Sequence, residues 1–476
     1  MQSNINEKRT FYWIDYETWG LNPATDKPCQ FAGIRTDEEL NIIGEPLVIY
    51  CQPPNDYLPS PEACLVTGIT PQLAMSQGFS EPEFMSKIHD ELSKPNTCVV
   101  GYNNIKFDDE VTRHSLYRNF IDPYGWSRQN GNSRWDLLDV MRACYALRPD
   151  GINWAYNDDG LPSFKLEDLS VANGIDHASA HDAQSDVIAL IELAKVVKKA
   201  QPKLFDYLFK NRNISMLQNL VDIENNKPLV HVSGMYGTSR SNTSWIMPII
   251  DHPTNNSTVI AIDLAMNLTP LFDLNADDLR FRLHTKKSEL SDDELPAPIK
   301  TISLNKCPVL ATAKVLTEND AERINLDRIK CLENFKLLQG SMPMIRSKLN
   351  ELFVKKVEYS KNNNVDSQLY DKFFTSSDRA TMDIILATKP ENLAALNITS
   401  SDDRIPKLLF NYKARNFPQT LEEKEMFRWS NHRREYFETY GYQFMESIEK
   451  LAIKYEDDEK KVRILKELVK YAQSLA

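Results

Sequence analysis

A multidomain α/β chain is predicted, with a mixed sheet covered by helices at the N-terminal end, a β-rich middle and a helical C-terminal part. Three observations predict it. Up to about residue 200, apolar and aromatic runs of strand length alternate with stretches of helical periodicity. Gln201-Pro202 breaks that alternation, and β-rich runs bounded by Gly, Asn and Pro turns follow it. Beyond Asn362-Asn363-Asn364, a linker by composition, the remaining residues read as helices. A length of 476 residues suits two to four domains. The expected divisions are 1–201, 202–356 and 357–476.

In order along the chain, strands are expected at 11–16, 30–36, 46–51 and 97–102. Asp37-Glu38-Glu39 marks a turn between the second and third, which are close enough to pair antiparallel. Helices are expected near 107–120, with Phe107, Val111, Leu116 and Phe120 on the apolar side, and near 134–147 and 182–200. Asp182 reads as the N-cap of the last, since Val187, Leu190, Ile191, Ala194 and Val197 recur at helical spacing after it. The middle part opens with a short helical stretch, Leu204 to Asn219. Val230-His231-Val232, Ser244 to Met247 and Val259 to Ile262 then read as strands of a small barrel-like or sheet module. The chain ends in a helix within Tyr455 to Ala476, with Val462, Leu465, Leu468 and Val469 on one side.

Composition narrows the class. Hydrophobic residues at 42% and charged residues at 26% are ordinary for a soluble protein. Met1 to Thr10 is too polar for a signal peptide, and no apolar run approaches a membrane span. Seven scattered cysteines without a Cys-x-x-Cys indicate neither a disulfide framework nor a zinc site, and suit a reducing cytoplasm. A net charge of -11 argues against a phosphate-backbone partner, but clustered metal-binding acids lower the count, and a local groove can still be positive. Arg113, Arg118, Arg128, Arg134, Arg142 and Arg148 are candidates for that groove. Tyr124, Trp126 and Trp135 among them suit stacking on unpaired bases.

Three short stretches carry the chemistry. Asp15 and Glu17 end the first strand two residues apart, so both point from one face, where two carboxylates repel unless a cation sits between them. Hard oxygen ligands select Mg²⁺ or Mn²⁺ over zinc. Asp108 opens the helix that follows the Val99-Val100-Gly101-Tyr102 strand and the Asn103-Asn104 turn; stabilisation of a helix N-terminus would equally explain an acid there. His181 precedes the 182–200 helix, and Asp186 lies in its first turns. Four carboxylates and one imidazole suit two divalent cations, ~3.5–4 Å apart, and a water activated against a phosphodiester. An unperturbed imidazole pKa of about 6.5 suits the base.

In order, spacing and flanking residues the set resembles the DEDDh exonucleases, a superfamily with an RNase H-like core. The matching motifs are Asp15-Tyr16-Glu17-Thr18-Trp19-Gly20, Gly101 to Asp108, and His181 with Asp186. Thr67-Gly68-Ile69-Thr70 is similar to the Gly-Ile-Thr element of that superfamily. Within it, the chain resembles the bacterial exodeoxyribonuclease I family over essentially its whole length, with long similar stretches at Gly101–Arg113, Ser133–Pro149, Pro228–Gly234 and Leu408–Pro418.

The resemblance implies an RNase H-like core, an SH3-like middle domain and a helical C-terminal domain. It implies a monomeric 3′-to-5′ exonuclease of DNA repair and recombination that degrades single-stranded DNA processively to nucleoside 5′-monophosphates. Two Mg²⁺, replaceable by Mn²⁺, would be held by Asp15, Glu17 and Asp186, with Asp108 assisting and His181 as base. Glu17, Arg113, Tyr124, Arg128, Arg142 and Lys165 would contact the strand. Arg148 and Tyr207 would bind the acidic C-terminal tail of the single-stranded DNA-binding protein. The alternative is an exoribonuclease acting on RNA 3′ ends, which leaves everything beyond residue 201 to explain. A non-catalytic protein with a degenerate core is disfavoured by the complete set of acids and histidine.

Overall fold

The computed structural model describes residues 8–176, 182–355 and 363–475. They form two compact units, one drawn from residues 8–133, 182–191 and 363–475, the other from 134–176 and 192–355. Among the described residues no helix is long and apolar enough to cross a membrane.

The first sheet contains β1 (Thr10–Thr18), β2 (Pro28–Thr36), β3 (Leu47–Tyr50), β4 (Thr97–Gly101) and β5 (Ser133–Asp136), in the order β3-β2-β1-β4-β5. β1 is central, antiparallel to β2 and parallel to β4, and β2 pairs antiparallel with β3. Phe11 to Ile14 are all buried, as expected of a strand covered on both faces. The four strands read from the apolar runs are therefore present, each within a few residues of its expected ends.

Three helices between β3 and β4 were not read from the sequence: Pro61–Thr67, Pro71–Gln77 and Glu81–Leu92. They are short and follow cap chemistry rather than apolar periodicity. Ser60 and Thr70 accept from Ala63 N and Leu73 N, and Pro follows each cap. Gly68, at φ +72°, closes the first of them in the left-handed conformation glycine favours. The Gly-Ile-Thr element thus ends one helix and caps the next.

Residues 363–475 build onto the elements of the first 133. Trp19, Tyr57, Leu58 and Ile69 share a core with Phe444, Ile448, Ile464, Leu465 and Leu468, from the helices Glu423–Lys454 and Glu459–Leu475. Tyr117 and Phe120 share another with Leu369, Met382, Ile405 and Leu408. A buried ion network lies in the same unit. Arg415 donates to both Asp56 carboxylate oxygens at 2.9 Å and to Asp366 Oδ2 at 2.6 Å. Lys27 Nζ reaches Asp366 at 3.2 Å, and His432 Nε2 lies 3.0 Å from Asp56. Burial alone would raise both carboxyls; the Arg415 guanidinium instead holds them well below the usual carboxylate range.

The second unit carries the helix Leu137–Leu147, a small hairpin of β6 (Ala155–Tyr156) and β7 (Pro162–Ser163), and the helices Leu166–Ala172, Pro202–Lys210 and Ile214–Leu220. Its sheet comprises β8 (Leu229–Val232), β9 (Thr243–Asp251), β10 (Thr258–Asp263), β11 (Ile299–Ser303) and β12 (Val309–Thr312), antiparallel in the order β11-β10-β9-β8-β12. Leu217, Leu229, Tyr236, Ile246, Val259, Ile302 and Leu310 form its core. The middle part is less purely β than its runs suggest, since helices occupy Thr269–Asp273, Ala276–His284, Arg328–Gly340 and Met342–Val354. Asn363 and Asn364 are in neither helix nor strand, while Asn362 and the expected 356/357 division lie outside the described residues.

Candidate active site

β1 and the helix Ala183–Ala200 bring three carboxylates together. Asp15 and Glu17 share a face of β1, and the register breaks between Glu17 and Thr18, where the strand bulges. Asp186 is in the first turn of its helix, whose start is capped by Asp182 accepting from Ser185 N at 3.3 Å. Oxygens of Asp15, Glu17 and Asp186 all lie within 4.8 Å of one another. Asp108 begins the helix Asp108–Arg118 and accepts from the backbone N of Tyr16 at 3.2 Å, which ties it to β1 between the two acids. Asn103, at φ +63°, makes the turn that delivers it there.

The electrostatics of this cluster are unfavourable without a counter-charge. Burial, then Asp108, Glu17, Asp186 and Asp182, raises the Asp15 carboxyl well above its usual range. Burial and the same neighbours, Asp186 foremost, push Glu17 up to about 8. Burial and Asp109 push Asp108 up to about 7. Three converging, half-buried hard oxygen donors with no sulfur or nitrogen among them fit a divalent cation of the Mg²⁺ or Mn²⁺ kind. His181 lies outside the described residues.

Of the expected strand contacts, three meet in the first unit. The guanidinium carbons of Arg113 and Arg128 lie 5.6 and 5.5 Å from the centre of the Tyr124 ring. Arg113 is fixed by Glu110 at 2.8 Å. In the second unit, Arg142 pairs with Asp139 at 2.8 Å, and Lys165 is exposed immediately before the helix Leu166–Ala172. Tyr207 donates to Leu310 O at 2.9 Å, and Arg148 to Val315 O at 3.3 Å, so both flank the segment that begins with β12.

Several sequence candidates have other duties. Trp126 is 1% exposed and donates to Pro123 O, and Trp135 is packed edge-on against Phe205 and Phe209, so neither offers a face to a base. Arg118 is buried against Glu81 at 2.6 Å, and Arg134 donates to Asn305 O at 2.7 Å. Conversely, two aromatics that the sequence did not single out stand beside the Tyr124 cluster. Phe373, 78% exposed, has its ring centre 6.3 Å from that of Tyr124. Tyr370, 55% exposed, donates its hydroxyl to Glu110, the residue that also holds Arg113. They lie some 250 residues from Tyr124 in sequence (370 against 124), so only the fold reveals them.

Three family models match in order along the chain. The family models described as Exonuclease, Exonuclease I SH3-like domain and Exonuclease I C-terminal domain match residues 12–194, 212–355 and 363–475. Exodeoxyribonuclease I of Escherichia coli strain K12 is 53% identical over 476 residues, covering 100% of both chains. The solved structure of E. coli exonuclease I in complex with a dA16 oligonucleotide has a TM-score of 0.96 at 53% identity, covering 98% of this chain and 100% of that one. The zinc-bound form of the E. coli ExoI–ssDNA complex has a TM-score of 0.95, with the same identity and coverage. A structure of SSB/exonuclease I with an inhibitor has a TM-score of 0.93 at 52% identity, covering 99% and 100%. With three domain models matched in order and a relative more than half identical from end to end, the chain belongs to the exodeoxyribonuclease I family.

Proposed function

We propose that this protein hydrolyses single-stranded DNA from the 3′ end, releasing nucleoside 5′-monophosphates, with Asp15, Glu17 and Asp186 holding two Mg²⁺ or, in their place, Mn²⁺. The observation that carries the reading is the convergence of those three carboxylates in a chain of this family. Bound ions would supply Lewis-acid stabilisation of the attacking and leaving oxygens. The protein does the rest. Asp108, anchored to Tyr16 N, fixes the floor of the site, and Glu17 also faces the terminal nucleotide. His181 takes the proton from the water that attacks phosphorus. The P–O3′ bond breaks, the phosphate stays on the released nucleotide, and the leaving 3′-oxygen takes a proton from solvent to become the new 3′-hydroxyl of the shortened strand. The RNA alternative is set aside, because the relative aligned over the whole chain is a deoxyribonuclease.

By role, residues 1–201 carry the chemistry, and 202–356 and 357–476 retain the strand between cuts, a division supported by the three family-model matches. Arg113, Tyr124 and Arg128, joined by Tyr370 and Phe373, offer rings and cations to successive nucleotides. Arg142 and Lys165 supply phosphate contacts. Arg148 and Tyr207 would take the acidic tail of the single-stranded DNA-binding protein, a reading supported by the matched SSB/exonuclease I structure. All three metal-facing carboxylates come from one chain, so completing them needs no second copy. Seven free thiols, six of them buried, suit the cytoplasm.

The deciding experiment runs end-labelled single-stranded DNA, duplex DNA and RNA on a gel, with Mg²⁺ or with chelator. Stepwise shortening from the 3′ end of single-stranded DNA alone, abolished by chelator, is expected. Equal digestion of RNA, or activity in chelator, overturns the reading. His181→Ala is expected to lower turnover by roughly 10²–10⁴-fold, the usual worth of a positioned general base. Calorimetry of that variant should still show Mn²⁺ uptake; its loss would make His181 a ligand instead of a base.

A further inference from the structure

Pro228–Gly234, one of the stretches that carry the family resemblance, takes no part in the metal site. It runs along β8 into a single 3₁₀ turn, Gly234–Tyr236, closed by Tyr236 N donating to Ser233 O at 3.1 Å. Buried partners fix that turn. The Tyr236 hydroxyl is hydrogen-bonded to His231 Nδ1 at 2.8 Å, and Arg240 grips the Asp263 carboxylate at 3.0 and 3.2 Å.

Against this turn lies Arg142, from the helix Leu137–Leu147. Its Nη1 donates to Asp139 Oδ1 at 2.8 Å, and its buried Nε has no hydrogen-bond partner among the described residues. A β-carbon at position 234 would stand 2.9 Å from both Cζ and Nη2 of Arg142 and 3.1 Å from Nη1. Any side chain there would claim the guanidinium's place. The obstructing atoms are the far end of a flexible side chain, so the clash resolves by displacing Arg142 and leaves the turn standing.

We propose that Gly234 is a positioning residue for single-strand binding: its bare α-carbon seats the Arg142 guanidinium in the plane from which it takes a DNA phosphate. The inference rests on the reading of Arg142 as a strand contact. An arginine fork recognises phosphate through two parallel N–H groups only when its plane is held. Here Asp139 holds one edge and Gly234 one face.

The test measures kcat, KM and the salt dependence of binding on a long single-stranded oligonucleotide for Gly234→Ala, Arg142→Ala and the double variant. Gly234→Ala is expected to raise KM roughly tenfold with kcat little changed, as for loss of one charge-assisted hydrogen bond. The slope of log affinity against log salt should fall by ~0.7, one phosphate contact on a single strand. In the Arg142→Ala background the second substitution should add nothing. Unchanged KM in Gly234→Ala, while Arg142→Ala raises it, overturns the seat alone. No effect of Arg142→Ala on KM overturns the strand contact and the seat with it. An equal penalty from Gly234→Ala with and without Arg142 means damage to the turn, and also overturns the proposal.

Discussion

Asp186→Ala lowers the rate of nucleotide release from single-stranded DNA by roughly 10⁴-fold, the several kcal/mol that metal-held oxygens contribute at about 1.4 kcal/mol per tenfold. Asp186 is one of only three carboxylates within 4.8 Å of one another among the described residues, and two oxygens do not make the same cation site. Binding of single strands should survive, because the Tyr124 cluster is built from other residues. The metal-free protein should lose no stability, since Asp186 is the foremost charge pushing up Glu17, and removing it relieves a repulsion. Single-turnover rates, filter binding and thermal unfolding in chelator check the three parts. Near-normal turnover would sink the assignment of Asp186 to the metal.

Arg415→Met destabilises the fold by about 3–5 kcal/mol, because it leaves Asp56 and Asp366 buried without their principal counter-charge. The pH dependence follows from the sign of the shifts. Both carboxyls are held below their ordinary value in the folded protein, so their stabilisation is present above the unfolded value of about 3.9 and fades as pH falls below it. The deficit of the variant should therefore be largest near neutrality and shrink below about pH 4. Urea unfolding followed by circular dichroism at several pH values measures this. A deficit under 1 kcal/mol at pH 7, or one that does not change with pH, would mean that the network is not what secures this region.

What could be read from the sequence had a chemical or periodic mark. The acids of β1 follow an apolar run whose strand character fixes that both point one way, and Asp186 lies between a cap and the long periodic run of its helix. Burial carried no such mark. Trp126 and Trp135 sit among arginines in the sequence as Tyr124 does, but their rings fill cores. Arg118 is held by Glu81, whereas Arg113, also paired with a glutamate, lies over the Tyr124 ring. The short helices at Pro61–Thr67 and Pro71–Gln77 are specified by caps at Ser60 and Thr70, with too few turns to show a periodic stripe. Tyr370 and Phe373 come to Tyr124 through tertiary packing, which no local pattern encodes.

The shared core of Trp19, Tyr57 and Leu58 with Phe444, Ile464 and Leu468 bears on how this protein can be cut. A fragment ending near residue 201 would hold every residue assigned to chemistry, but it would open to water the apolar surface those helices cover and leave Asp56 without Arg415 or His432. At ~25 cal/mol per Å² of apolar area, such a surface favours aggregation over a working nuclease. The excisable piece is set by what is jointly buried, so separating catalysis from strand retention calls for residues 363–475 to be kept or supplied in trans.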